Sequence, residues 1–316
     1  MTDREKALAD ARAAIEKRWG EDTFGFSESA GGIPSGSLSL DRIIGTGGFP
    51  RGGMVMLAGE EGVGKSTLAI QACANAQRAG GYAAYIDMEA GMDFDYARAL
   101  GVDTDKWLYS MPNTGEQVLE ITNALVDAGI DLVVIDSVAT LTTEDVVNGD
   151  VKAKQYASVA SLLSNNLPNT KRQARKNGSS ILLVNQLRDD LGNVDRRTGR
   201  VKQKAYGGWT GRHSPDVIIF LRPAYEQGIE WTERQKVRAV TDKNRYAPPH
   251  QTAEFYIEYG KGVIREEEIL DIAFQDEILQ MRGAYVYMDG ENVGYKKDIR
   301  SNQDLFDAIA AKVSAA

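Results

Sequence analysis

Nine consecutive residues have the spacing of a phosphate-binding loop, in which a glycine is followed by four residues and then by Gly-Lys-Ser. They are Gly59, Glu60, Glu61, Gly62, Val63, Gly64, Lys65, Ser66 and Thr67. Because the glycines carry no Cβ, the backbone N–H groups of this loop can close around phosphate oxygens. The Lys65 ammonium can reach the β- and γ-phosphates, and the Ser66 hydroxyl can ligate Mg²⁺. The sequence therefore predicts a site for a nucleoside triphosphate and Mg²⁺.

The residues on either side of this loop support the same interpretation. Residues 54–58 are apolar and predict a buried strand, and residues 66–78 predict a helix whose positive dipole end would face the phosphates. A phosphate-binding loop requires this order of strand, loop and helix. The alternative is an ordinary turn that contains a lysine, and the order of the elements favours the nucleotide site over it.

A second metal ligand is expected at the end of a neighbouring strand. Leu132–Asp136 is an apolar run that ends in an aspartate, so Asp136 is the predicted second ligand of Mg²⁺. Hydrolysis also needs a group that orients the attacking water. Glu89 follows the strand predicted at residues 82–87 and is the candidate for this role, with Asp87 as its rival.

Two amides, Asn185 and Gln186, follow the strand predicted at residues 181–184. An amide in this place can hydrogen-bond a terminal phosphate and lose that bond on hydrolysis, which would turn the following segment into a switch. The alternative is an ordinary pair of turn residues. The two amides alone do not decide between these interpretations.

The composition excludes several classes of protein. The chain has 316 residues, a formal net charge of −8, one cysteine and two histidines. A single cysteine forms no disulfide framework, and these three residues are too few for a Cys/His zinc site, so a reducing cytoplasm is the expected location. No apolar run approaches the length of a membrane span, and we expect no membrane contact. The net charge argues against bulk attraction to nucleic acid but allows a local basic groove.

One basic segment lies between residues 187 and 212, where glycines and aromatic residues accompany the charges. Its basic residues are Arg188, Arg196, Arg197, Arg200, Lys202, Lys204 and Arg212. A segment of this kind can follow the phosphates of a strand while Tyr206 or Trp209 stacks on bases. A solvated loop is the alternative, because runs of charge usually keep loops in water.

From residue 54 onward, apolar strands alternate with helical segments, which predicts an α/β fold with a parallel sheet covered on both faces. The predicted strands are 54–58, 82–87, 107–110, 132–136 and 181–184, and the predicted helices are 66–78, 93–100, 115–128 and 151–176, the last broken at Pro168. Three later runs, 217–221, 236–241 and 253–258, have no helices between them and are expected to extend the sheet in antiparallel fashion.

The N-terminal residues predict an arm. Thr2 and Glu5 have the spacing of a capping box and begin an amphipathic helix predicted at residues 3–19. A Gly- and Ser-rich stretch follows, in which Phe24 and Phe26 alternate with small or polar residues, as in an extended segment that lies in a groove. Self-association and docking on the chain's own core are both open.

The C-terminal residues predict a small mixed domain. Residues 285–290 resemble a hairpin, and residues 302–313 predict a final helix. The sequence therefore predicts that residues 262–316 fold as a unit beside the main sheet.

Together, these motifs resemble those of one family, the bacterial RecA strand-exchange recombinases. The matching stretches are residues 36–41, 59–67, 85–89, 96–103, 113–117, 134–139, 184–188, 253–255 and 259–262. The resemblance extends from the N-terminal helix to about Tyr295 and is far more specific than a phosphate-binding loop alone. It implies a RecA-like ATPase core (36–261) with a mostly parallel sheet, an N-terminal helix and strand arm (1–35) and a small C-terminal α/β domain (262–316).

The resemblance also implies roles for individual residues. Glu89 would be the catalytic glutamate that activates water, and Gln186 would couple the γ-phosphate to the DNA-binding loop. Asp93 and Tyr96 would contact the adenine, Tyr96 by stacking on its face. Residues 144–154 and 187–212 would be the two DNA-binding loops of the family. In the second loop, the resemblance makes these residues the candidates for contact with DNA: Arg188, Arg196, Arg197, Arg200, Lys202, Lys204, Tyr206, Gly207, Gly208 and Trp209.

Lys243 and Arg245 match two basic residues that reach the ATP of a neighbouring subunit in the manner of an arginine finger. The second of them is arginine where the family has lysine, which keeps the charge and changes the geometry. Without the resemblance, this short segment would be interpreted as a polar turn.

The function implied by the resemblance is a DNA-dependent ATPase that forms helical filaments of identical subunits on single-stranded DNA. It would use ATP and Mg²⁺ and pair the bound strand with homologous double-stranded DNA. One alternative is a hexameric ring ATPase or helicase with the same core, and another is a nucleotide-gated scaffold with little turnover.

The chain departs from the family pattern in its second loop and at its end. Asp195, Arg196 and Arg197 stand where apolar residues are expected, and the sequence stops at Ala316 without a long acidic tail. If such a tail competes with DNA for basic surfaces, its absence predicts freer duplex binding. Both departures make a phage-encoded member an alternative to a bacterial one.

Overall fold

The computed structural model describes residues 2–20, 31–147, 155–194, 201–205, 213–224 and 234–315. The chain divides into two compact units, residues 1–30 and 31–316. Phe24 and Phe26 lie outside the described residues, so their role remains a prediction. Among the helices that the structure describes, none combines the length and the apolar character needed to cross a membrane.

The N-terminal helix begins with the predicted capping box. The Thr2 hydroxyl accepts a hydrogen bond from Glu5 N at 3.3 Å, and the Glu5 carboxylate accepts one from Thr2 N at 2.7 Å. This helix, α1 (Asp3–Trp19), confirms the prediction. Leu8 and Ile15, on the predicted apolar face of this helix, are 64% and 37% exposed.

The second unit contains the remaining described helices and strands. The strands are β1 (Gly32–Ile33), β2 (Phe49–Pro50), β3 (Met54–Gly59), β4 (Ala83–Asp87), β5 (Leu108–Ser110), β6 (Leu132–Asp136), β7 (Ser180–Val194), β8 (Val201–Ala205), β9 (Val217–Ala224), β10 (Arg234–Lys243), β11 (Thr252–Glu258), β12 (Gly262–Val263), β13 (Leu279–Arg282), β14 (Tyr285–Met288) and β15 (Glu291–Tyr295). The helices are α2 (Leu38–Ile44), α3 (Lys65–Arg78), α4 (Phe94–Ala99), α5 (Gly115–Asp127), α6 (Glu144–Val147), α7 (Gln155–Asn177), α8 (Arg265–Gln275), α9 (Lys296–Ile299) and α10 (Gln303–Ala315).

Ten strands of the described chain form one sheet in the order β12-β11-β10-β9-β3-β7-β6-β4-β5, with β8 paired to β7. The strands from β9 to β5 run parallel, which confirms the predicted parallel core. β10, β11 and β12 are antiparallel and extend one side. Because the parallel strands point the same way, the segments that follow β3, β4 and β6 meet at one edge.

Hydrophobic clusters cover both faces of this sheet. Alternate residues of β3 divide between them, with Val55 and Leu57 in the cluster that includes α3, and Met54 and Met56 in the cluster that includes α5 and α7. Burial on both faces explains why the central strands are continuous apolar runs in the sequence.

The direction of β9 differs from the prediction. β9 pairs with β3 in parallel, with Val217 opposite Val55 and Leu221 opposite Gly59, so the expected antiparallel arrangement is wrong for this strand and holds for β10 and β11. The connection from β7 to β9 contains β8, which pairs with β7. It is still long enough for the crossover that parallel neighbours need, which takes about a dozen residues.

The predicted break at Pro168 is also wrong, because α7 continues through this residue. A proline within a helix costs about 3 kcal/mol or more. Val159, Leu163 and Leu167 are buried in the cluster beside α5, and each buried side chain of this size contributes about 1.5–3 kcal/mol. Burial of the apolar face therefore offsets the lost backbone hydrogen bond.

The segment predicted as a loop from residue 187 is partly a β-hairpin. β7 continues to Val194, and β8 pairs with it in antiparallel fashion, with Leu187 opposite Ala205. The polar sequence shows no apolar alternation that would indicate these strands. Their backbone groups are paired with each other, which stabilises the extended form of this segment.

The C-terminal residues build a third hydrophobic cluster from α8, α10 and a three-stranded sheet of β13, β14 and β15. The hairpin predicted at residues 285–290 and the final helix are both present. Glu268 of α8 joins this cluster to α2, because its carboxylate accepts hydrogen bonds from the Ser37 hydroxyl at 2.6 Å and from Ser39 N at 3.0 Å. The boundary at residue 262 remains a prediction, since β12 still belongs to the large sheet.

Asp41, also on α2, is a buried carboxylate that accepts a hydrogen bond from Ser35 N at 2.9 Å. Burial raises the pKa of Asp41 from 3.8 to about 7. Because the folded state then holds the proton more tightly than the unfolded state, the stability that Asp41 contributes is greatest below about pH 4 and is lost as the pH rises to about 7. Asp41→Asn should therefore gain about 2 kcal/mol in unfolding free energy relative to wild type between about pH 5 and about pH 8.

Urea denaturation of the two proteins across this range measures the difference. Asp10→Asn, at an exposed position of α1, is the matched control and should follow wild type. A constant difference between wild type and Asp41→Asn at every pH would contradict the raised pKa.

Candidate active site

The phosphate-binding loop lies between β3 and α3, at the edge where the parallel strands end. All six residues of β3 are buried, which fixes the start of the loop at Gly59. Gly64 ends the loop with a φ of 94°, and a side chain there would collide with Ile257 of β11. The loop therefore needs glycine at this position for its conformation and for its packing.

Lys65 is the first residue of α3, and its side chain crosses the loop. Its Nζ donates hydrogen bonds to the carbonyl oxygens of Gly59 at 3.1 Å and Glu60 at 2.7 Å. Burial lowers the pKa of Lys65, and the carboxylates of Asp136 and Glu89 oppose that shift. The ammonium is thus held where phosphate oxygens would meet the loop.

Ser66 and Asp136, the predicted metal ligands, are brought together. Ser66 Oγ donates a hydrogen bond to Asp136 Oδ2 at 2.7 Å, and the Tyr85 hydroxyl donates to the same oxygen. Burial raises the pKa of Asp136, and the two hydrogen bonds oppose that shift. The peptide bond that follows Asp136 is cis.

The two oxygens fit a magnesium ion. Mg²⁺ prefers hard oxygen ligands in octahedral geometry at about 2.1 Å, so neighbouring ligand atoms lie about 3 Å apart. Ser66 Oγ and Asp136 Oδ2 are 2.7 Å apart, close to that spacing. A hydroxyl and a carboxylate of this kind can share one Mg²⁺ with phosphate oxygens and water.

Asp87 and Glu89 have different environments. Asp87 is buried at the end of β4, and its oxygens accept hydrogen bonds from the backbone N–H groups of Glu89, Ala90 and Gly91 and from the Tyr109 hydroxyl. This aspartate shapes the turn that carries Glu89. Its contacts favour Glu89 over Asp87 as the group that meets water.

Glu89 is exposed and faces the ends of β6 and β7. Its Oε1 accepts a hydrogen bond from Ser137 Oγ at 2.7 Å and a longer one from Gln186 Nε2 at 3.4 Å. Asn185, by contrast, is fully buried, and its Nδ2 lies 3.6 Å from the Met56 sulfur. Of the two amides at this point, Gln186 is therefore the one whose side chain faces Glu89.

Tyr96 lies beside the first turn of α3. Its hydroxyl shares a hydrogen bond of 2.9 Å with Thr67 Oγ1, and burial raises the pKa of Tyr96. Asp93 caps α4 by accepting hydrogen bonds from Asp95 N at 2.9 Å and Tyr96 N at 3.1 Å. The cap fixes the start of α4 and thereby the position of the tyrosine ring.

Lys243 and Arg245 lie at the opposite end of the central strands. Lys243 is the last residue of β10 and pairs in register with Ile218, which pairs with Met56 near the start of β3. Arg245 NH1 is 3.5 Å from Asp216 Oδ1, just before β9. β3 has six residues at about 3.3 Å each, so its two ends are roughly 17 Å apart. Neither cation reaches the chain's own phosphate-binding loop.

The candidate DNA-contacting residues fall partly on the hairpin of β7 and β8. Arg188 lies opposite Lys204, and Lys202 lies opposite Asp190. β7 runs into this hairpin directly from Gln186, which pairs with Gly59 at the start of the phosphate-binding loop. The remaining candidates lie outside the described residues: Arg196, Arg197, Arg200, Tyr206, Gly207, Gly208 and Trp209.

Other residues support the site without having been identified from the sequence. Tyr85 lies two residues before Asp87 on the same face of β4, so strand alternation could have found it. Ser137 directly follows Asp136. Gln235 of β10 donates a hydrogen bond from Nε2 to Gly62 O at 2.9 Å, and no local pattern points to this distant pairing.

Comparison with known proteins gives consistent matches. A family model of the RecA N-terminal domain matches residues 6–264. The chain is 38% identical to Protein RecA of Frankia casuarinae, over 98% of this chain and 92% of that protein. It is 38% identical to Protein RecA of a Nocardioides species, over 98% and 91% of the two chains, and 37% identical to that of Corynebacterium jeikeium, over 99% and 85%.

Removal of one hydroxyl tests the environment of Asp136. Without the hydrogen bond from Tyr85, the carboxylate should be harder to ionise, because that bond opposes the effect of burial on its pKa. Tyr85→Phe should raise the Mg²⁺ concentration for half-maximal binding of an ATP analogue about tenfold, for a lost charged hydrogen bond of about 1.5 kcal/mol. The rise should be larger at about pH 6 than at about pH 8.

Titration of a fluorescent ATP analogue with Mg²⁺ measures this. Tyr82→Phe, at a tyrosine that is 62% exposed, is the control and should behave as wild type. Equal Mg²⁺ requirements for Tyr85→Phe and wild type at both pH values would show that the hydroxyl does not tune Asp136.

Proposed function

Because the chain belongs to the RecA family, the DNA-dependent ATPases of homologous recombination and DNA repair, we propose that it polymerises on single-stranded DNA with ATP and Mg²⁺ and pairs that strand with homologous duplex DNA. The family assignment itself gives an ATPase that binds ATP and DNA and associates with copies of itself. One observation carries the finer proposal: Lys65, Ser66, Asp136 and Glu89 converge at one edge of the sheet, and Gln186 leads from that edge into the basic hairpin.

In this proposal, each group at the edge has a distinct task. Ser66 and Asp136 would hold Mg²⁺, which would neutralise charge on the phosphate oxygens. The Lys65 ammonium pairs with the β- and γ-phosphates. Glu89 accepts the proton of the attacking water, and the hydrogen bond from Ser137 at 2.7 Å orients its carboxylate. Tyr96 and Asp93 contact the adenine.

Gln186 provides the proposed link between nucleotide and DNA. It pairs in register with Gly59 at the end of β3, so it lies next to the phosphate-binding loop. The same strand continues to Val194 and carries Arg188. A shift of the Gln186 amide between Glu89 and a γ-phosphate would therefore move the strand that bears the DNA-contacting residues.

Lys243 and Arg245 support hydrolysis at a shared boundary between subunits. Both lie at the end of the central strands opposite the phosphate-binding loop. A group at one end of a subunit can complete a site at the other end of its neighbour if identical copies assemble head to tail. Such heterologous contacts build either a closed ring or an open helix, and it is the relationship to the RecA family that favours the filament.

The remaining assignments follow from this function. We propose that residues 1–35 connect neighbouring subunits, that residues 36–261 form the ATPase core and that residues 262–316 form a small C-terminal domain. A DNA substrate and cellular ATP favour a cytoplasmic location. The buried Cys73 is consistent with a reducing setting.

Glu89→Gln is the direct test of the catalytic assignment. The change removes the base and keeps the size of the side chain, so phosphate release in the presence of single-stranded DNA should fall about 100-fold or more. Nucleotide affinity should change less than about threefold, since Lys65, Ser66 and Asp136 are intact. An Asp87→Asn variant with the larger loss, at unchanged stability, would move the role to Asp87.

Mixed filaments test the shared boundary. In an equal mixture of Glu89→Gln and Arg245→Ala subunits, about one boundary in four pairs an intact Glu89 with an intact Arg245 from its neighbour. DNA-dependent ATP hydrolysis should therefore recover to about a quarter of the wild-type rate, although each variant alone is nearly inactive. If the mixture stays at the level of the separate variants, Arg245 does not act on a neighbouring subunit.

A further inference from the structure

Asp216 is a fully buried carboxylate that the proposed chemistry does not use. It lies just before β9, and its exposed fraction is 0%. Its Oδ2 accepts a hydrogen bond from Met54 N at 3.2 Å, and its own N donates to Met54 O at 2.7 Å. The side chain is therefore fixed to the first residue of β3, at the end of the sheet opposite the phosphate-binding loop.

Two cations converge on this carboxylate. Lys171 Nζ of α7 is 2.6 Å from Asp216 Oδ1, and Arg245 NH1 is 3.5 Å from the same oxygen. A buried carboxylate is costly to leave unpaired, so this pairing constrains all three side chains. Arg245 nevertheless remains 56% exposed, which lets it contact Asp216 while its guanidinium stays open to solvent.

The residues just before Asp216 contact Lys243, the second cation that is proposed to act on a neighbouring subunit. Lys243 Nζ donates hydrogen bonds to the carbonyl oxygens of His213 at 3.0 Å and Pro215 at 2.5 Å. Lys171 Nζ donates to Ser214 O at 2.8 Å. The stretch 213–216 thus binds three cationic side chains, and one carboxylate balances them.

The turn that carries these cations is anchored from its other side as well. Asn244 donates hydrogen bonds from Nδ2 to the carbonyl oxygens of Ile43 at 2.9 Å and Ile44 at 3.1 Å. Its Oδ1 accepts from Tyr246 N at 2.9 Å. The backbone is thus fixed by Asn244, and the Arg245 guanidinium lies 3.5 Å from the Asp216 carboxylate.

We propose that Asp216 is a positioning residue for ATP hydrolysis in the neighbouring subunit. It orients Arg245, and through the stretch 213–216 it also fixes Lys243. The surplus positive charge of this cluster then meets the triphosphate of the next copy. The inference rests on the proposed function, in which Arg245 acts on a neighbour. It adds a buried anion that makes the two cations rigid before assembly, which reduces the entropy lost when they contact the nucleotide.

A different role for Asp216 is conceivable in its own subunit. Its hydrogen bond to Met54 could support β3 and, through that strand, the phosphate-binding loop of the same chain. The two roles predict opposite results when variants are mixed in one filament. If Asp216 orients Arg245, its loss damages the side of a boundary that supplies Arg245. If it supports β3 of its own chain, its loss damages the side that supplies Glu89.

The experiment measures DNA-dependent ATP hydrolysis by Asp216→Asn alone and in equal mixtures with Glu89→Gln or Arg245→Ala. Alone, the variant should lose at least about tenfold in rate while binding a fluorescent ATP analogue within about threefold of wild type. Mixed with Glu89→Gln, it should recover to about a quarter of the wild-type rate, and mixed with Arg245→Ala it should not recover.

Glu254→Gln is the matched control. Glu254 also binds two cations, Lys236 at 3.1 Å and Arg238 at 2.6 Å, but on β11 and away from Arg245. This variant should keep the wild-type rate. If Asp216→Asn fails to fold, the double variant Asp216→Asn with Lys171→Gln removes the carboxylate together with the buried ammonium that depends on it and should give the same pattern of recovery.

Three results would overturn the inference. Full activity of Asp216→Asn alone would show that orientation of Arg245 does not depend on it. Recovery with Arg245→Ala and not with Glu89→Gln would place its effect in its own subunit. If the mixture of Glu89→Gln and Arg245→Ala fails to recover activity, the shared boundary is rejected, and the role of Asp216 is rejected with it. In the first two outcomes this mixture still recovers, so failure of the inference can be distinguished from failure of the proposed function.

Discussion

The hydrogen bond from Ser66 Oγ to Asp136 Oδ2 is the contact on which the rest of the site depends. It joins the first turn of α3 to the end of β6, which is separated from β3 by β7 in the sheet. This contact is possible because buried parallel strands end in register at one edge. Glu89 and Gln186 reach the same edge from β4 and β7. One constraint, the common direction of four strands, thus gathers residues that are far apart in the sequence.

The parts of this arrangement that depend on local patterns could be predicted from the sequence. The phosphate-binding loop, the aspartate that ends β6 and the capping box of α1 each lie within a few residues, and the structure has all of them. The direction of β9 and the passage of α7 through Pro168 depend on contacts between distant elements, which override local preference. For the same reason, no local sequence pattern predicts the hydrogen bond from Gln235 to the phosphate-binding loop.

The sheet has two chemically different ends. The phosphate-binding loop, Asp136 and Glu89 lie at one end, whereas Arg245 and the buried Asp216 lie at the other, about the length of β3 away. A subunit with complementary groups at opposite ends forms a complete site through contact with another copy. The hairpin that continues β7 carries Arg188 and Lys204 from the nucleotide edge. On this account, nucleotide binding, subunit contact and DNA binding are coupled because they share the same strands.

Electron microscopy of the protein with single-stranded DNA and a slowly hydrolysed ATP analogue tests the central claim most directly. The account predicts helical filaments in which Lys243 and Arg245 of one copy contact the triphosphate held by Lys65 and Ser66 of the next. Closed six-fold rings, or filaments in which both cations remain far from any nucleotide, would contradict it.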